Sequence, residues 1–264
     1  MSRFRNKKME KLIEGKTKII YDTEDGNVIM FSKDDITAGD GYKRDVIKGK
    51  GAVATRTTAN VFCLLKRHGI PTHFIERIDE ARLRCIRCSM IPLEVTIRGS
   101  AAGHYLRRHS NIEEGRDFEE PIVEFALKDD ARHDPFVVIS QNGVWRLHDP
   151  AQPVADNTVI ENIVPLLSPD EVQLVQQIAR AVYKILKKAW EKLDIKLIDL
   201  KIEFGRTQNG RLVVGDVIDN DSWRLWPSGK KSQQLDKQIY REDGSLDEVL
   251  KSYRHVAELT DSFS

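Results

Sequence analysis

Over residues 198–204 apolar side chains fall on every second position, the period of a strand with one buried face, so Asp199, Lys201 and Glu203 share the polar face. Gln208-Asn209-Gly210-Arg211 carries Asn-Gly and Leu212-Val213-Val214 resumes the apolar pattern, which together predict a β-hairpin with a two-residue turn. The same alternation sets Leu93, Val95 and Ile97 against Glu94, Thr96 and Arg98 inside a strand-like stretch over residues 74–98. An opening hairpin is predicted from residues 18–21 and 28–32, and a later one over 137–147 around Asn142-Gly143. Helical spacing covers residues 52–68 and stops at Gly69-Ile70-Pro71. The clearest helix begins at Ser168-Pro169-Asp170-Glu171, with an N-cap, a proline at the first helical position and a capping-box glutamate. Its apolar stripe runs Val175, Ile178, Ala179, Val182, Ile185, Leu186, Ala189, Trp190, Leu193. A last amphipathic helix spans about residues 246–259. Strands early, mixed elements later and no regular βαβ alternation predict an α+β fold, with two α+β subdomains around a cleft.

If Asn209 and Gly210 form the turn, Gln208 faces Arg211 and counting back sets Glu203 opposite Asp216. Opposed Cβ atoms lie roughly 5 Å apart, where like charges destabilise the pair and a cation between them converts the penalty into a binding site. A hard cation such as Mg²⁺ takes one or two carboxylates plus phosphate oxygens and water, so two acids beside Lys201 suit a nucleotide-bound magnesium. The plainer alternative is a solvated face on which Lys201 and nearby arginines offset the acids. A bulge near Gly205 would slip the register by one residue.

Composition narrows the partners. With 42 Lys plus Arg against 41 Asp plus Glu in 264 residues, no global field draws the chain to nucleic acid or membrane. No apolar run approaches a membrane span, and the start lacks the apolar core of a signal peptide, so a cytoplasmic protein with a basic tail over residues 1–11 is expected. Cys63, Cys85 and Cys88 leave one thiol over under any disulfide scheme, and a lone CxxC is weak evidence for metal, so reduced thiols are expected. Lys184, Lys187, Lys188 and Lys192 read as a solvated helix face rather than a nucleic-acid surface.

Five local patterns bear on chemistry. Glu14-Gly15-Lys16-Thr17-Lys18 lacks the earlier glycine of a P-loop, yet a glycine flanked by lysines at a hairpin mouth can lie over phosphates, the alternative being exposed lysines. Gly39-Asp40-Gly41 and Gly49-Lys50-Gly51 fail the dinucleotide spacing and mark a glycine-rich connection near a ligand. In Arg98-Gly99-Ser100-Ala101-Ala102-Gly103-His104 an arginine at a strand end precedes small residues that permit close ligand approach; it fits recognition of carboxylate or phosphate, or else a surface ion pair. Lys128-Asp129-Asp130 with Asp134 forms an acidic loop, solvated or else holding an amine or sugar hydroxyl. Trp223 and Trp226, read as core, would hold Arg224 rigidly beside the carboxylate hairpin.

Glu14-Gly15-Lys16-Thr17-Lys18, Ile36-Thr37-Ala38-Gly39, Ile91-Pro92-Leu93-Glu94 through Arg98, Lys128-Asp129-Asp130, Asp199-x-Lys201-x-Glu203-Phe204-Gly205 and Asp216 through Trp226 stand in the order seen in SAICAR synthetase, which the chain resembles. The resemblance covers about residues 12–259 and is close to the synthetase part of the bifunctional animal enzyme. It implies an ATP-dependent ligase of purine biosynthesis that joins carboxyaminoimidazole ribotide (CAIR) to L-aspartate, releasing ADP and phosphate. It also implies a sheet-rich subdomain over the nucleotide (12–92), a larger subdomain with the metal and substrate site (93–264), and a homo-oligomer. Carried over by position, Gly15, Lys16, Lys18, Met90, Leu93, Glu94 and Lys201 would bind ATP, with adenine on residues 90–94, and Glu203 and Asp216 would hold Mg²⁺. Arg98, Ser100, His104, Arg224, Lys237 and Arg241 would bind substrate, and Lys128, Asp130 and Asp134 would serve the chemistry, Asp130 or Asp134 as base. His104 departs from the family's usual serine. The rival readings are a small-molecule kinase with the same Mg-ATP site and a non-catalytic nucleotide or RNA binder.

Overall fold

The structure, a computed structural model, describes residues 10–263, so the basic tail expected over 1–11 lies almost wholly outside the described residues. Strands β1 (Lys11–Glu14), β2 (Lys18–Asp22) and β3 (Asn27–Ser32) open the chain, followed by a ribbon of β4 (Asp35–Ala38) and β5 (Lys43–Val46) and by helix α1 (Lys50–Arg67). Strands β6 (Phe74–Arg77) and β7 (Arg82–Ile86) complete a five-stranded antiparallel sheet in the order β1-β2-β3-β7-β6. Its inner face, through Val28, Met30, Leu83 and Cys85, packs with Phe62 and Leu65 of α1.

The second sheet begins at once with β8 (Cys88–Ser100), so the change of sheet precedes the 92/93 boundary, which falls inside a strand. Then come α2 (His104–Arg108), β9 (Asp117–Leu127), β10 (Phe136–Ile139), β11 (Trp145–His148), β12 (Val159–Ile163), α3 (Pro169–Glu191), β13 (Ile195–Thr207), β14 (Leu212–Gly215), β15 (Trp223–Pro227), α4 (Gln238–Arg241) and α5 (Leu246–Thr260). Sheet order is β12-β11-β10-β9-β8-β13-β14, with β15 on the same edge of β13 as β14 but nearer its start. The β14–β15 loop therefore leaves the sheet midway along β13, where the Lys201 amide donates to the Ser222 carbonyl.

Helix α3 buries its predicted stripe, Val175, Ala179, Val182, Leu186 and Trp190, against this sheet, and its capping box is formed: the Glu171 amide donates to Ser168 Oγ at 3.2 Å and the Ser168 amide to Glu171 Oε2 at 2.9 Å. Its basic face meets acids, Lys184 with Glu120 and Lys187 with Glu191. Among the described residues no helix is long and apolar enough to cross a membrane, and all three cysteines are free thiols.

Two local expectations change. The β13–β14 pairing is Arg206 with Leu212 and Glu203 with Gly215, and the Thr207 amide donates to the Arg211 carbonyl. The connection is thus a three-residue loop with Gly210 at φ +80°, and Glu203 does not face Asp216. The side chain of Asn209 explains the extra residue: its Oδ1 takes the Thr207 hydroxyl and the Arg211 amide, closing a wider loop than Asn-Gly alone implies. The second change concerns Gly99, which admits no ligand. A Cβ there would stand 1.7 Å from the Tyr183 hydroxyl of α3, which donates to the Leu197 carbonyl at 2.6 Å. Gly103 is likewise filled, by the Arg224 guanidinium.

Candidate active site

Between the two sheets opens a cleft of about 1260 Å³, room for a nucleotide and more. Its floor is the polar face of β8 and β13, where Arg98 pairs in register with Asp199, Thr96 with Lys201 and Glu94 with Glu203. Opposed glutamates destabilise a ladder unless each has a cation. Lys128 supplies one, its Nζ 2.7 and 2.8 Å from the two Glu203 oxygens, and Lys201 supplies the other by pairing with Glu94.

Asp216 reaches the same place by another route than a facing pair. It lies one residue past β14 with φ +55°, outside the alternation of the strand, and its carboxylate takes the amine of Lys18 from β2. Behind it the buried His73 ring, hydrogen-bonded at 2.9 Å to the Asp216 carbonyl, fixes the turn; burial lowers its pKa to about 4. Burial pushes the Asp216 carboxyl up, but the Lys18 charge and hydrogen bond outweigh it and hold the group ionised. Glu203 moves upward instead, through burial and then the charge of Asp216, with Lys128 opposing. Two neighbouring carboxylates held by two amines form a donor set suited to a hard divalent cation with phosphate oxygens as further ligands. Among the described residues no three metal-ligating side chains converge, so protein groups alone do not complete such a site.

The far part of the cleft is rich in arginine. Arg98, buried, donates to Glu124 at 2.5 Å and to Asp199 at 2.8 Å; Glu124 also holds Arg108, and Asp199 also holds Arg224. His104 begins α2 at the same wall. The surrounding cleft, then Arg107, Arg98, Arg108 and Arg224, disfavour the imidazolium and bring its pKa down to about 4, so the ring is neutral at physiological pH.

The chain matches the family model described as SAICAR synthetase over residues 11–259. It belongs to the SAICAR synthetase family. A phosphoribosylaminoimidazole-succinocarboxamide synthase of Chloroflexus aurantiacus is 49% identical, covering 94% of this chain and 95% of that protein. A probable multifunctional protein of Caenorhabditis elegans is 38% identical over 98% of this chain and 60% of its own length, so the likeness to animal fusion enzymes holds beside the bacterial one. Among solved structures, the phosphoribosylaminoimidazole-succinocarboxamide synthase of Ehrlichia chaffeensis superposes with TM-score 0.80 at 31% identity, covering 96% and 98% of the two chains. A SAICAR synthetase in complex with ADP gives 0.79 at 33%, covering 95% and 97%. Enzymes of this family ligate CAIR and aspartate in purine biosynthesis, using ATP.

The cleft gathers most residues the family resemblance had assigned: Gly15, Lys16, Lys18, Glu94, Arg98, His104, Lys128, Asp130, Asp134, Lys201, Asp216, Arg224, Lys237 and Arg241 all line it. Glu203 sits just beneath, covered by Lys128. Three others do not line it either. Leu93 points into the core, as strand alternation dictates, so its side chain is not a nucleotide contact. Ser100 is buried on Asp117. Met90, at the start of β8, lies over Gly205 and Gly215 at the far end of the hairpin. Lys50, Asp199 and Asp221 were missed as site residues. Asp199 carried a signal, since it shares the polar face of Lys201 and Glu203. Lys50 carried one only in its flanking glycines: α1 starts there because Asp34 accepts the Gly49 and Gly51 amides at 3.0 and 2.9 Å.

Proposed function

We propose that this chain phosphorylates the CAIR carboxylate with ATP and captures the acyl phosphate with L-aspartate, giving SAICAR, ADP and phosphate. The observation that carries this is one cleft with amine-bound carboxylates at one end and carboxylate-bound arginines at the other. A carboxylate resists amines because oxide is a poor leaving group. Attack of a CAIR oxygen on the γ-phosphorus forms the new P–O bond as the bond to ADP breaks; attack of the aspartate nitrogen then expels phosphate. Lys16 and Lys18, on β2 and the turn before it, face the transferring phosphates and spread their charge. Arg98 and Arg224 take the ribotide, with the neutral His104 donating or accepting one hydrogen bond. Glu203 and Asp216 are the residues that would hold Mg²⁺, which supplies Lewis-acid stabilisation of phosphate oxygens when bound.

Aspartate must shed a proton before it attacks. Of the two acids considered as base, Asp130 is solvent-exposed and paired with Lys16 at 2.7 Å. Asp134 is the better choice: burial raises its pKa, and its carboxylate accepts the Asp129 amide at 2.7 Å rather than a lysine. Residues 12–92 are proposed as the part covering the nucleotide and 93–264 as the part beneath; the change of sheet between β7 and β8, just before that boundary, supports the division. The near balance of charge supports small-molecule substrates rather than nucleic acid or membrane as partners, and a cytoplasmic homo-oligomer is proposed with it from the family resemblance.

Phosphate release with ATP, CAIR and aspartate, each omitted in turn, tests the reading. Full rate is expected only with all three. ADP formation without aspartate, with a stable phosphorylated product, would instead establish a kinase.

A further inference from the structure

Away from the phosphate-binding end, the cleft wall carries a cluster of which only Lys237 has been given a role, as a substrate contact implied by the family resemblance. Lys50, at the first turn of α1, and Lys237, beside α4, both line the cleft, and both are nearly buried. Their amines converge on a single oxygen: Asp221 Oδ2 is 3.5 Å from Lys50 Nζ and 3.3 Å from Lys237 Nζ. The other oxygen of Asp221 accepts the hydroxyl of Tyr253, a fully buried side chain of α5. Tyr253 is held in turn by Ile36, Ile47, Tyr240 and Val249, an apolar cluster separate from the main core, and its ring lies 5.5 Å beneath the Lys50 amine.

The donor balance of this cluster is uneven. Each ammonium has three N–H donors and no acceptor capacity, yet the two share one long contact to one oxygen. The Asp219 carboxylate also acts on Lys50 and offsets part of the charge, but it leaves the remaining N–H donors of the two ammoniums unfilled at the cleft wall, where an anionic group from the cleft would complete them. The carboxylate of Asp221 has only two oxygens, and Tyr253 claims one of them. The phenol therefore decides which oxygen faces the lysines, and so where their free N–H groups point.

We propose that Tyr253, through Asp221, is a positioning residue that aims Lys50 and Lys237 at a carboxylate group of a substrate. This rests on the ligase reading above and names what the opposite wall of that site recognises. Both the ribotide and L-aspartate bring carboxylates, and the experiment separates them. The surrounding charges agree with the assignment. Burial alone would neutralise Asp221, but Lys50 and Lys237 hold it ionised, while burial and the Asp221 charge keep the phenol protonated and donating. Asp219 on the same loop feels the charge of Lys50 as well as that of Asp221, while its carboxylate accepts the Asp221 amide at 2.9 Å and stiffens the turn.

The test uses the full chain and first requires that the wild type release phosphate only with ATP, CAIR and aspartate together; failure there removes the ligase reading itself. Tyr253→Phe keeps the packing and deletes one hydroxyl. The expected result is a rise of about five- to twentyfold in KM for CAIR or for L-aspartate, with KM for ATP within twofold and an unchanged circular-dichroism spectrum, in line with loss of about 1–2 kcal/mol of positioning. Which KM moves identifies the carboxylate. Lys50→Met supplies the second arm: if Tyr253 acts through the lysines, Lys50→Met/Tyr253→Phe is less impaired than the product of the two single effects. Unchanged KM values for both carboxylate substrates, equal changes in all three, or multiplicative effects in the double variant would each overturn the proposal.

Discussion

Arg98 occupies the middle of a run of alternating charges, Arg108, Glu124, Arg98, Asp199 and Arg224, that crosses the floor of the cleft. Its removal strands two buried carboxylates at once, because Glu124 and Asp199 each lose one of two cations in a site with little water. Breaking a buried pair from one side costs about 3–5 kcal/mol, far more than an intact pair contributes. Arg98→Met is accordingly expected to lower stability by about that amount in urea denaturation. Arg224→Met leaves Asp199 with Arg98 and sits at the open wall, so its main effect is a rise in KM for the ribotide with a much smaller loss of stability. Equal destabilisation by the two substitutions would show that Arg98 is not the keystone. Such a residue reads in sequence only as an arginine at a strand end; the acids that bury it lie 26 and 101 positions away.

At the scale of elements, periodicity was a sound guide wherever one face met the core. The α3 stripe and capping box, the alternation in β8 and β13, and the opening hairpin all form as their spacing predicts. Periodicity does not see what fills a gap across elements. Gly99 is a case: its missing side chain makes room for Tyr183, so Gly99→Ala forces α3 off the sheet and is expected to cost about 3 kcal/mol, read as a fall in the thermal midpoint. Gly99→Ala with Tyr183→Phe should recover part of the loss; no recovery would place the strain elsewhere. The β13–β14 register was lost to side-chain hydrogen bonds of Asn209, which residue spacing does not encode. Strand β11 adds a pH dependence. Burial, then Arg146, lowers the pKa of His148 below its usual 6.5, with its ring 3.0 Å from Thr158 Oγ1. Below pH 6.5 the unfolded chain takes up this proton before the native state does, so its contribution to stability is full above that pH and falls away as the solution is acidified. His148→Gln, which cannot titrate, should show a smaller stability difference between about pH 7.5 and 5 than the wild type does.

For the whole molecule, the decisive feature is that the pair proposed to hold the metal is not a facing pair and that its two amine partners come from different sheets. Lys18 comes from the first sheet, Lys128 and Glu203 from the second, and Asp216 from the turn after β14. Each amine neutralises an acid that the proposed ion would otherwise neutralise, so on the proposed reading nucleotide binding would exchange amine contacts for metal contacts. The exchange makes the stabilisation by nucleotide conditional on the ion. A ligand at a hundred times its Kd adds about 2.7 kcal/mol to the native state, several degrees in thermal midpoint. ADP with EDTA is expected to give a small rise and ADP with Mg²⁺ a clearly larger one. In Glu203→Gln and Asp216→Asn the second increment should vanish while the first persists, since Lys16 and Lys18 still meet the phosphates. A Mg²⁺-dependent increment that survives both substitutions would move the ion away from these carboxylates, and with it the reason for their burial beneath two lysines.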